Sequence, residues 1–386
     1  MSRVAIVGIG HSKFGRRTDV NLGELAFESI KQAIDDAGVD KKDIGNVVVG
    51  SAGVWYEESL PAVVVDEYAG LSGAGTMRVE AACASGSAAV KAAYNSIVSG
   101  ETDVALAVGV EKMTEVDTPT SVELIGRAGS YMWEFENYGM TFPAYYAMYA
   151  VSHMNRFGTT EEDLSRVSVK AHHYGALNPL AQFQKEISLE KALGSQVVSW
   201  PLKLYDACPL SDGSAAVVLA SEEAAKKLTD TPVWIRGVGY SSDTANLSRR
   251  DDYVGLRAAV TAAKKAYAMA GVGPGDIDVA TAHDCFTIAE LMAYEDLGFC
   301  KKGEAAKMIR DGQTEIGGKI PVNLDGGLKA KGHPIGATGV SMAVEITKQL
   351  RGEAGRRQAP IKNGVGLVHN IGGTGHYAYV TVLSRD

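Results

Sequence analysis

The chain has 386 residues, 46% of them hydrophobic and 22% charged, the balance of a globular protein long enough for two domains or one duplicated domain. A net charge of −8 argues against nucleic acid as a partner. No apolar run approaches the roughly 18 residues that a membrane-spanning helix needs.

The run from Met1 to Gly8 reads as a strand, with no signal-peptide layout, and the final Ser384-Arg385-Asp386 is not a peroxisomal address. The four cysteines (83, 208, 285 and 300) lack zinc-ligand spacing, so no metal site is expected. In such a chain they are expected as thiols in a reducing, cytoplasmic setting.

In chain order, Arg3 to Gly10 is the first expected strand. Lys31 to Ala37 belongs to an amphipathic helix stopped by Gly38, and Asp43-Ile44 leads into a strand from Asn46 to Ser51. The pattern returns 233 residues later: Lys264 to Ala270, a stop at Gly271, Asp276-Ile277, and a strand from Asp278 to Ala282. Glycine-rich turns then open a helix in each copy (Cys83 to Gly86, and Gly332 to Gly339), followed by strands at Asp103 to Gly109 and Gly364 to His369. Val233 to Tyr240 echoes the first strand. Two copies of one α/β unit imply a pseudo-twofold molecule with layered packing. The first copy is interrupted by an aromatic-rich insertion, which reads as a lid or binding loop. The expected division is 1–115 plus 206–231 for the first half, 116–205 for the insertion and 232–386 for the second half.

Four segments carry reactive groups. Cys83 sits among small residues before a helix expected over Ser87 to Ser99, where helix N–H groups and dipole favour a thiolate. A buried structural cysteine is the alternative. Ala282-His283-Asp284-Cys285-Phe286 follows a strand end, the usual ligand edge of an α/β sheet. Gly326 to Gly339 brackets His333-Pro334 with glycines and lacks phosphate-loop spacing. His369-Asn370-Ile371-Gly372-Gly373 ends a strand in a turn whose amides can face an oxyanion, or which is a plain strand connection. The pseudo-twofold brings the Cys83 and His333 helix ends together. A thiol, an imidazole, a second thiol and an amide turn suit acyl transfer with carbon–carbon bond chemistry.

These motifs, Cys83-Ala84-Ser85, His283-Asp284-Cys285-Phe286, Gly332-His333-Pro334 and Asn370-Ile371-Gly372, resemble those of the thiolase superfamily over nearly the whole chain. The resemblance implies a duplicated five-layered αβαβα fold whose inserted loop domain covers coenzyme A. Common thiolases carry Asn-Glu-Ala-Phe where this chain has His283 to Phe286, and a cysteine where it has Asn370. The displaced Cys285 is similar to the sterol-carrier-protein-2 type and the archaeal acetoacetyl-CoA thiolases.

The implied reaction is ping-pong condensation of two acetyl-CoA to acetoacetyl-CoA and CoA, or the reverse thiolysis, with CoA thioesters as substrates and no tightly bound cofactor. The implied roles are Cys83 as nucleophile, His333 as its base, Cys285 as α-proton carrier and His283 at the enolate oxygen. Gly372 with Cys83 would supply oxyanion amides, Asn370 would support the loop, and Cys208 and Ser211 would border pantetheine. The family implies a homodimer or tetramer, and its archaeal members a zinc- and OB-domain protein and a hydroxymethylglutaryl-CoA synthase as partners. Two other readings stand beside it. One is a thiolase-like aldolase acting on β-hydroxyacyl-CoA with an OB-domain partner and using Tyr377 and Tyr379. The other is a non-catalytic CoA- or lipid-binding subunit.

Overall fold

The structure, a computed structural model, describes residues 3–386; Met1 and Ser2, at the start of the expected first strand, lie outside the described residues. The first half contains β1 (Val4–His11), α1 (Leu22–Ala37), β2 (Asn46–Gly50), α2 (Pro61–Ala69), β3 (Gly75–Val79), α3 (Ser85–Val98) and β4 (Val104–Lys112). The chain then leaves through α4 (Thr118–Gly126), α5 (Phe142–Phe157), α6 (Glu161–Ala176), α7 (Leu189–Leu193) and a small ribbon, β5 (Val197–Ser199) with β6 (Leu202–Lys203). It returns as β7 (Asp212–Ser221) and α8 (Glu222–Leu228). The second half holds β8 (Val233–Ser242), α9 (Arg257–Ala270), β9 (Val279–Ala282), α10 (Thr287–Asp296), α11 (Ala305–Arg310), α12 (Ile335–Arg351), β10 (Val365–Gly372) and β11 (Tyr377–Ser384).

One nine-stranded sheet runs in the order β3-β2-β4-β7-β1-β8-β11-β10-β9. In the first half β2 is parallel to β4, and β4–β7 and β7–β1 are antiparallel. The second half repeats this: β9 is parallel to β10, and β10–β11 and β11–β8 are antiparallel. Among the described residues two pairs, Ala5 with Trp234 and Ile6 with Val233, join the halves within the sheet.

The 233-residue offset persists in atomic detail. α1 and α9 end on left-handed glycines, Gly38 at φ 62° and Gly271 at φ 65°. A side chain there would be strained, which is why glycine stops both helices. Each half also brings a bare strand against its helix. A Cβ on Gly8 or Gly10 would strike Ala33 and its neighbours on α1, and one on Gly237 or Gly239 would strike Ala266 and its neighbours on α9.

α1 and α2 cover one outer face and α9 covers the other, over β8 and β11, while α3 and α12 lie between the two halves of the sheet. This is the expected αβαβα layering. The central helices touch at their N-termini through glycine: a Cβ on Gly86 would lie 2.7 Å from the Gly336 carbonyl and 2.8 Å from the Gly339 nitrogen. Their first turns are thereby brought to one place. The chain between β4 and β7 buttresses this region. Asn178 donates to the Asp325 carbonyl at 2.8 Å, and the Gln182 and Phe183 amides donate to the Lys331 and Ala330 carbonyls at 3.0 and 2.9 Å. Observed element ends differ from the expected ones by a few residues, chiefly because α3 begins at Ser85 rather than Ser87.

Candidate active site

Cys83 occupies a single 3-10 turn, Ala82–Ala84, that runs straight into α3. The turn requires Ala82 at φ 49°, a left-handed conformation that costs energy in a residue with a side chain. Ser85 clamps it: its hydroxyl donates to the Ala82 carbonyl at 2.7 Å and accepts from the Ala81 amide at 2.9 Å. The small residues read from the sequence therefore do make a tight turn. The thiol is 7% exposed, and burial pushes it up to about 12 against the opposing pull of the Gly373 amide and its own. The expectation of a helix-favoured thiolate is corrected here. Desolvation of a buried sulfur outweighs the helix N-terminus.

The sulfur of Cys83 and one ring nitrogen each of His283 and His333 lie within 4.8 Å of one another. Such a set could ligate a soft cation, and it is also the spacing needed to pass a proton between a thiol and an imidazole. His333 is held by its neighbours. Its amide donates to Ser211 Oγ at 2.9 Å. Its Nδ1 lies 2.7 Å from Thr338 Oγ1, whose own hydrogen goes to the Pro334 carbonyl at 2.9 Å. Thr338 must therefore accept, Nδ1 carries the hydrogen, and Nε2 keeps a bare lone pair. That Nε2 is buried without a hydrogen-bond partner. Burial holds His333 down at about 3, so the ring is neutral.

His283 has the opposite tautomer. Asn370 Nδ2 donates to the Cys83 carbonyl and to His283 Nδ1, both at 3.0 Å. Nδ1 is thus an acceptor, and the ring hydrogen sits on Nε2. Burial, reinforced by His333 and His369 nearby, keeps His283 neutral as well.

The glycine turn after β10 closes the site. The Gly375 amide donates to the Gly372 carbonyl at 3.2 Å, which turns the Gly373 N–H in the other direction, toward Cys83. The Gly373 amide thus joins the expected Gly372 among the amides of the turn beside Cys83. Gly372 itself ends the strand, packed so closely on the Ala81 carbonyl that a Cβ would not fit. The next carbonyl, Thr374, is held by Tyr149 Oη at 2.8 Å and by Arg250 Nη1 at 2.8 Å.

Cys285 is buried and its thiol is pushed well up by desolvation. Its carbonyl accepts from the Cys208 amide at 2.9 Å, and Tyr146 acts on its thiol from the neighbouring α5. Tyr146 comes from α5, is fully buried and stacks on Phe286 with centroids 4.5 Å apart. Cys208 lines a cavity of about 680 Å³ together with Lys13, Lys185, Lys191 and Lys329. No carboxylate is among the described residues on its wall. Ser211, expected beside it, is instead buried beneath the His333 loop, its hydroxyl spent on Gln182 at 2.6 Å and on the His333 amide. Cys300 is remote from this constellation and half-buried beside the hydrophobic core.

Glu111 was legible only as a residue near the insertion. Its buried carboxylate accepts from the Ala52 and Gly53 amides at 2.9 and 3.1 Å and from the Gly336 amide at 3.0 Å. It thereby ties the end of β2 to the N-terminus of α12 in the other half. Tyr146, Thr338 and Glu111 have no local signal, because each acts through partners distant in sequence.

A duplicated α/β fold that places a buried thiol, a lone-pair imidazole and backbone amides at the junction of its halves has the parts of an acyl-transfer site. The chain belongs to the thiolase family: residues 4–223 match the thiolase N-terminal domain and 239–385 the thiolase C-terminal domain-like family. It is 44% identical over 387 residues to the acetyl-CoA acetyltransferase of Methanothermobacter thermautotrophicus, covering 100% of both chains. It is 34% identical to the sterol carrier protein 2 of Bos taurus, covering 96% of this chain and 70% of that one. Among solved structures, the Ltp2-ChsH2(DUF35) aldolase superposes with a TM-score of 0.86 at 29% identity, over 100% of this chain and 98% of that one.

Proposed function

We propose that the chain condenses two acetyl-CoA into acetoacetyl-CoA and CoA, and runs the reverse thiolysis. The observation that carries this reading is the Cys83 sulfur within 4.8 Å of a ring nitrogen of His333, whose Nε2 is bare and buried, with the Gly373 amide acting on the same sulfur. Two archaeal relatives named acetyl-CoA acetyltransferase, 44% and 43% identical over full length, support it.

In the first half-reaction His333 Nε2 takes the Cys83 proton as sulfur attacks the thioester carbonyl. The Cys83 amide and an amide of the Gly372-Gly373 turn hold the oxyanion. CoA leaves as a thiolate and takes its proton from Cys285, so that acetyl-Cys83, His333 imidazolium and a Cys285 thiolate remain. In the second half-reaction Cys285 removes the α-proton of a second acetyl-CoA while His283 Nε2–H donates to the enolate oxygen. The enolate carbon attacks acetyl-Cys83. Acetoacetyl-CoA departs, and Cys83 recovers its proton from His333. All groups return to their starting state.

CoA enters through the lysine-lined cavity that ends at Cys208, with segment 116–205 as its cover; the cavity's cations suit the phosphates of CoA. Lys329 is the deepest commitment of charge there. The other lysines buried to this degree are paired, Lys112 with Glu115, Lys170 with Glu290 and Lys331 with Asp325, whereas the ammonium of Lys329, a residue 2% exposed, has no acceptor. Of the two nearby carboxylates, Asp284 accepts from the Leu328 and Lys329 amides and Asp206 from the Lys203 amide and Thr287. We assign the missing acceptor to an oxygen of the bound thioester. The sheet ends at β3, an exposed edge with Met77 and Arg78 open, which suits strand pairing with a second copy in a homodimer. No helix among the described residues is long and apolar enough to cross a membrane.

The aldolase reading has the structural neighbour in its favour. Against it, both thiols are in the site, while Tyr377 and Tyr379 pack on Ala81, Ala84 and Ala88, with Tyr379 stacked on Tyr240. Cys285→Ala separates the readings. It keeps acetyl-Cys83 formation and abolishes condensation in a thiolase. An unchanged condensation rate would remove Cys285 from its role, and β-hydroxyacyl-CoA cleavage without acetyl-Cys83 would establish the aldolase.

A further inference from the structure

Between the two half-reactions the proposed cycle leaves Cys285 as a thiolate in a fully buried site. A buried anion without donors is costly, and desolvation alone already drives this thiol well up. Some group must donate to that sulfur while it holds no proton.

Tyr146 is placed to do so. Its hydroxyl donates to the Gly373 carbonyl at 3.2 Å, and its ring stacks on Phe286, the neighbour of Cys285, whose sulfur acts on the hydroxyl. A phenol carries one hydrogen. In the resting state the phenol therefore spends its hydrogen on the Gly373 carbonyl. The ring has no freedom to leave: it is fully buried, stacked on Phe286 at 21° between planes, and meets Tyr149 edge to face at 5.6 Å. The hydroxyl hydrogen can still rotate about the C–O bond. The adjoining Thr374 carbonyl is held separately by Tyr149 and Arg250, so the glycine turn keeps its place when the Gly373 carbonyl loses its donor.

We infer that Tyr146 is a further catalytic residue, whose hydroxyl swings from the Gly373 carbonyl to the Cys285 sulfur when that thiol gives up its proton and returns when the α-proton arrives. The inference rests on the proposed role of Cys285. The step balances: the substrate C–H bond breaks, the Cys285 S–H bond forms, and the phenol keeps its own hydrogen throughout. The swing also couples the two sulfurs, because the residue whose carbonyl is released, Gly373, is the one whose amide faces Cys83.

Tyr146→Phe keeps the stacking and removes only the oxygen. The experiment is the condensation rate against pH for wild type, Tyr146→Phe and a chain carrying 3-fluorotyrosine at 146, with melting temperature and acetyl-Cys83 measured alongside. In Tyr146→Phe the rate falls at least about tenfold near neutral pH and recovers as pH rises, its rising limb displaced upward by about one unit or more. The more acidic fluorophenol, a stronger donor, displaces the limb downward. An unchanged rate, or a loss equal at every pH, overturns the role of Tyr146 alone. A wild-type chain that forms no acetyl-Cys83 overturns the thiolase reading and the role of Tyr146 with it.

Discussion

His283 and His333 meet edge to face, ring centroids 5.0 Å apart and planes at 82°, and they present opposite faces of the same chemistry to Cys83. Thr338 keeps the hydrogen of His333 on Nδ1, and Asn370 keeps that of His283 on Nε2. One ring is thereby a proton acceptor and the other a proton donor, with both neutral. The division of labour between acylation and enolate stabilisation follows from these two second partners rather than from the histidines themselves.

His333→Asn removes the acceptor and is expected to slow acetyl-Cys83 formation by about 10²–10⁴-fold. Thr338→Val leaves the ring but no longer fixes its tautomer, and gives a smaller loss in the same step. Time-resolved peptide mass spectrometry on Cys83 reads both. Asn370→Ala frees His283 and acts on condensation more than on acylation.

The Cys83 thiol at about 12 and the His333 ring at about 3 make the resting pair neutral at every pH between those values, not a thiolate–imidazolium pair. Iodoacetamide alkylation of Cys83 in the absence of substrate therefore rises about tenfold per pH unit from 7 to 10, following the thiolate fraction. A plateau beginning below pH 7 would signify an ion pair and contradict this electrostatic picture.

Burial depresses His11 and His333 to about 3 and His369 and His376 to about 4, from 6.5. Below pH 6.5 the unfolded chain binds protons that the folded chain refuses, so stability falls with pH through the window from 6.5 to about 4. Each such histidine contributes up to about 1.4 kcal/mol per pH unit in that window. Asp284, raised by burial to about 7, and Asp296, raised by burial to about 6, act in the opposite sense between their unfolded value of 3.8 and those values, with their stabilisation greatest at low pH. The four histidines outweigh the two carboxyls, and denaturant midpoints measured between pH 7 and 5 are expected to fall.

Lys329→Met removes a buried cation that lacks a partner in the free chain but meets a ligand oxygen in the complex. KM for acetyl-CoA is expected to rise by about tenfold or more, the worth of one charged hydrogen bond. The melting temperature is expected to hold or rise, since an unpaired buried charge gives way to an apolar chain. A lower melting temperature with unchanged KM would make Lys329 a structural residue.

Gly86→Ala tests the junction of the halves. Its Cβ would meet Gly336 and Gly339 backbone atoms at 2.7–2.8 Å, where no rotamer offers relief. A stability loss of about 1–3 kcal/mol is expected from overpacking, together with a drop in acylation, because α3 and α12 carry the two halves of the site.

The duplication was open to reading because its signals are local: Gly38 and Gly271 stop their helices by φ alone, and the 233-residue offset repeats both stops. The same holds for Cys83, His283, Cys285, His333 and Asn370, which sit in short motifs and do converge at the junction. What was misplaced depended on three-dimensional neighbours. The Gly373 amide beside Cys83 had no signal of its own apart from its place next to Gly372 in the turn. Ser211 turned to the His333 loop because Gln182 reaches it. The thiolate expectation for Cys83 failed because burial cannot be seen in a run of alanines and serines. Tyr146 was visible only as one of several aromatics in the insertion, since its partners lie on β9–α10 and after β10.

The central claim is that Cys83 carries the acyl group. The most direct test is to mix the chain with acetyl-CoA, quench, and weigh the peptide containing Cys83, with Cys83→Ala as control. An acetyl adduct on Cys83, formed with release of one CoA and discharged by free CoA or by a second acetyl-CoA, is the result expected. Bound acetyl-CoA with an unmodified Cys83 at every quench time would contradict the account.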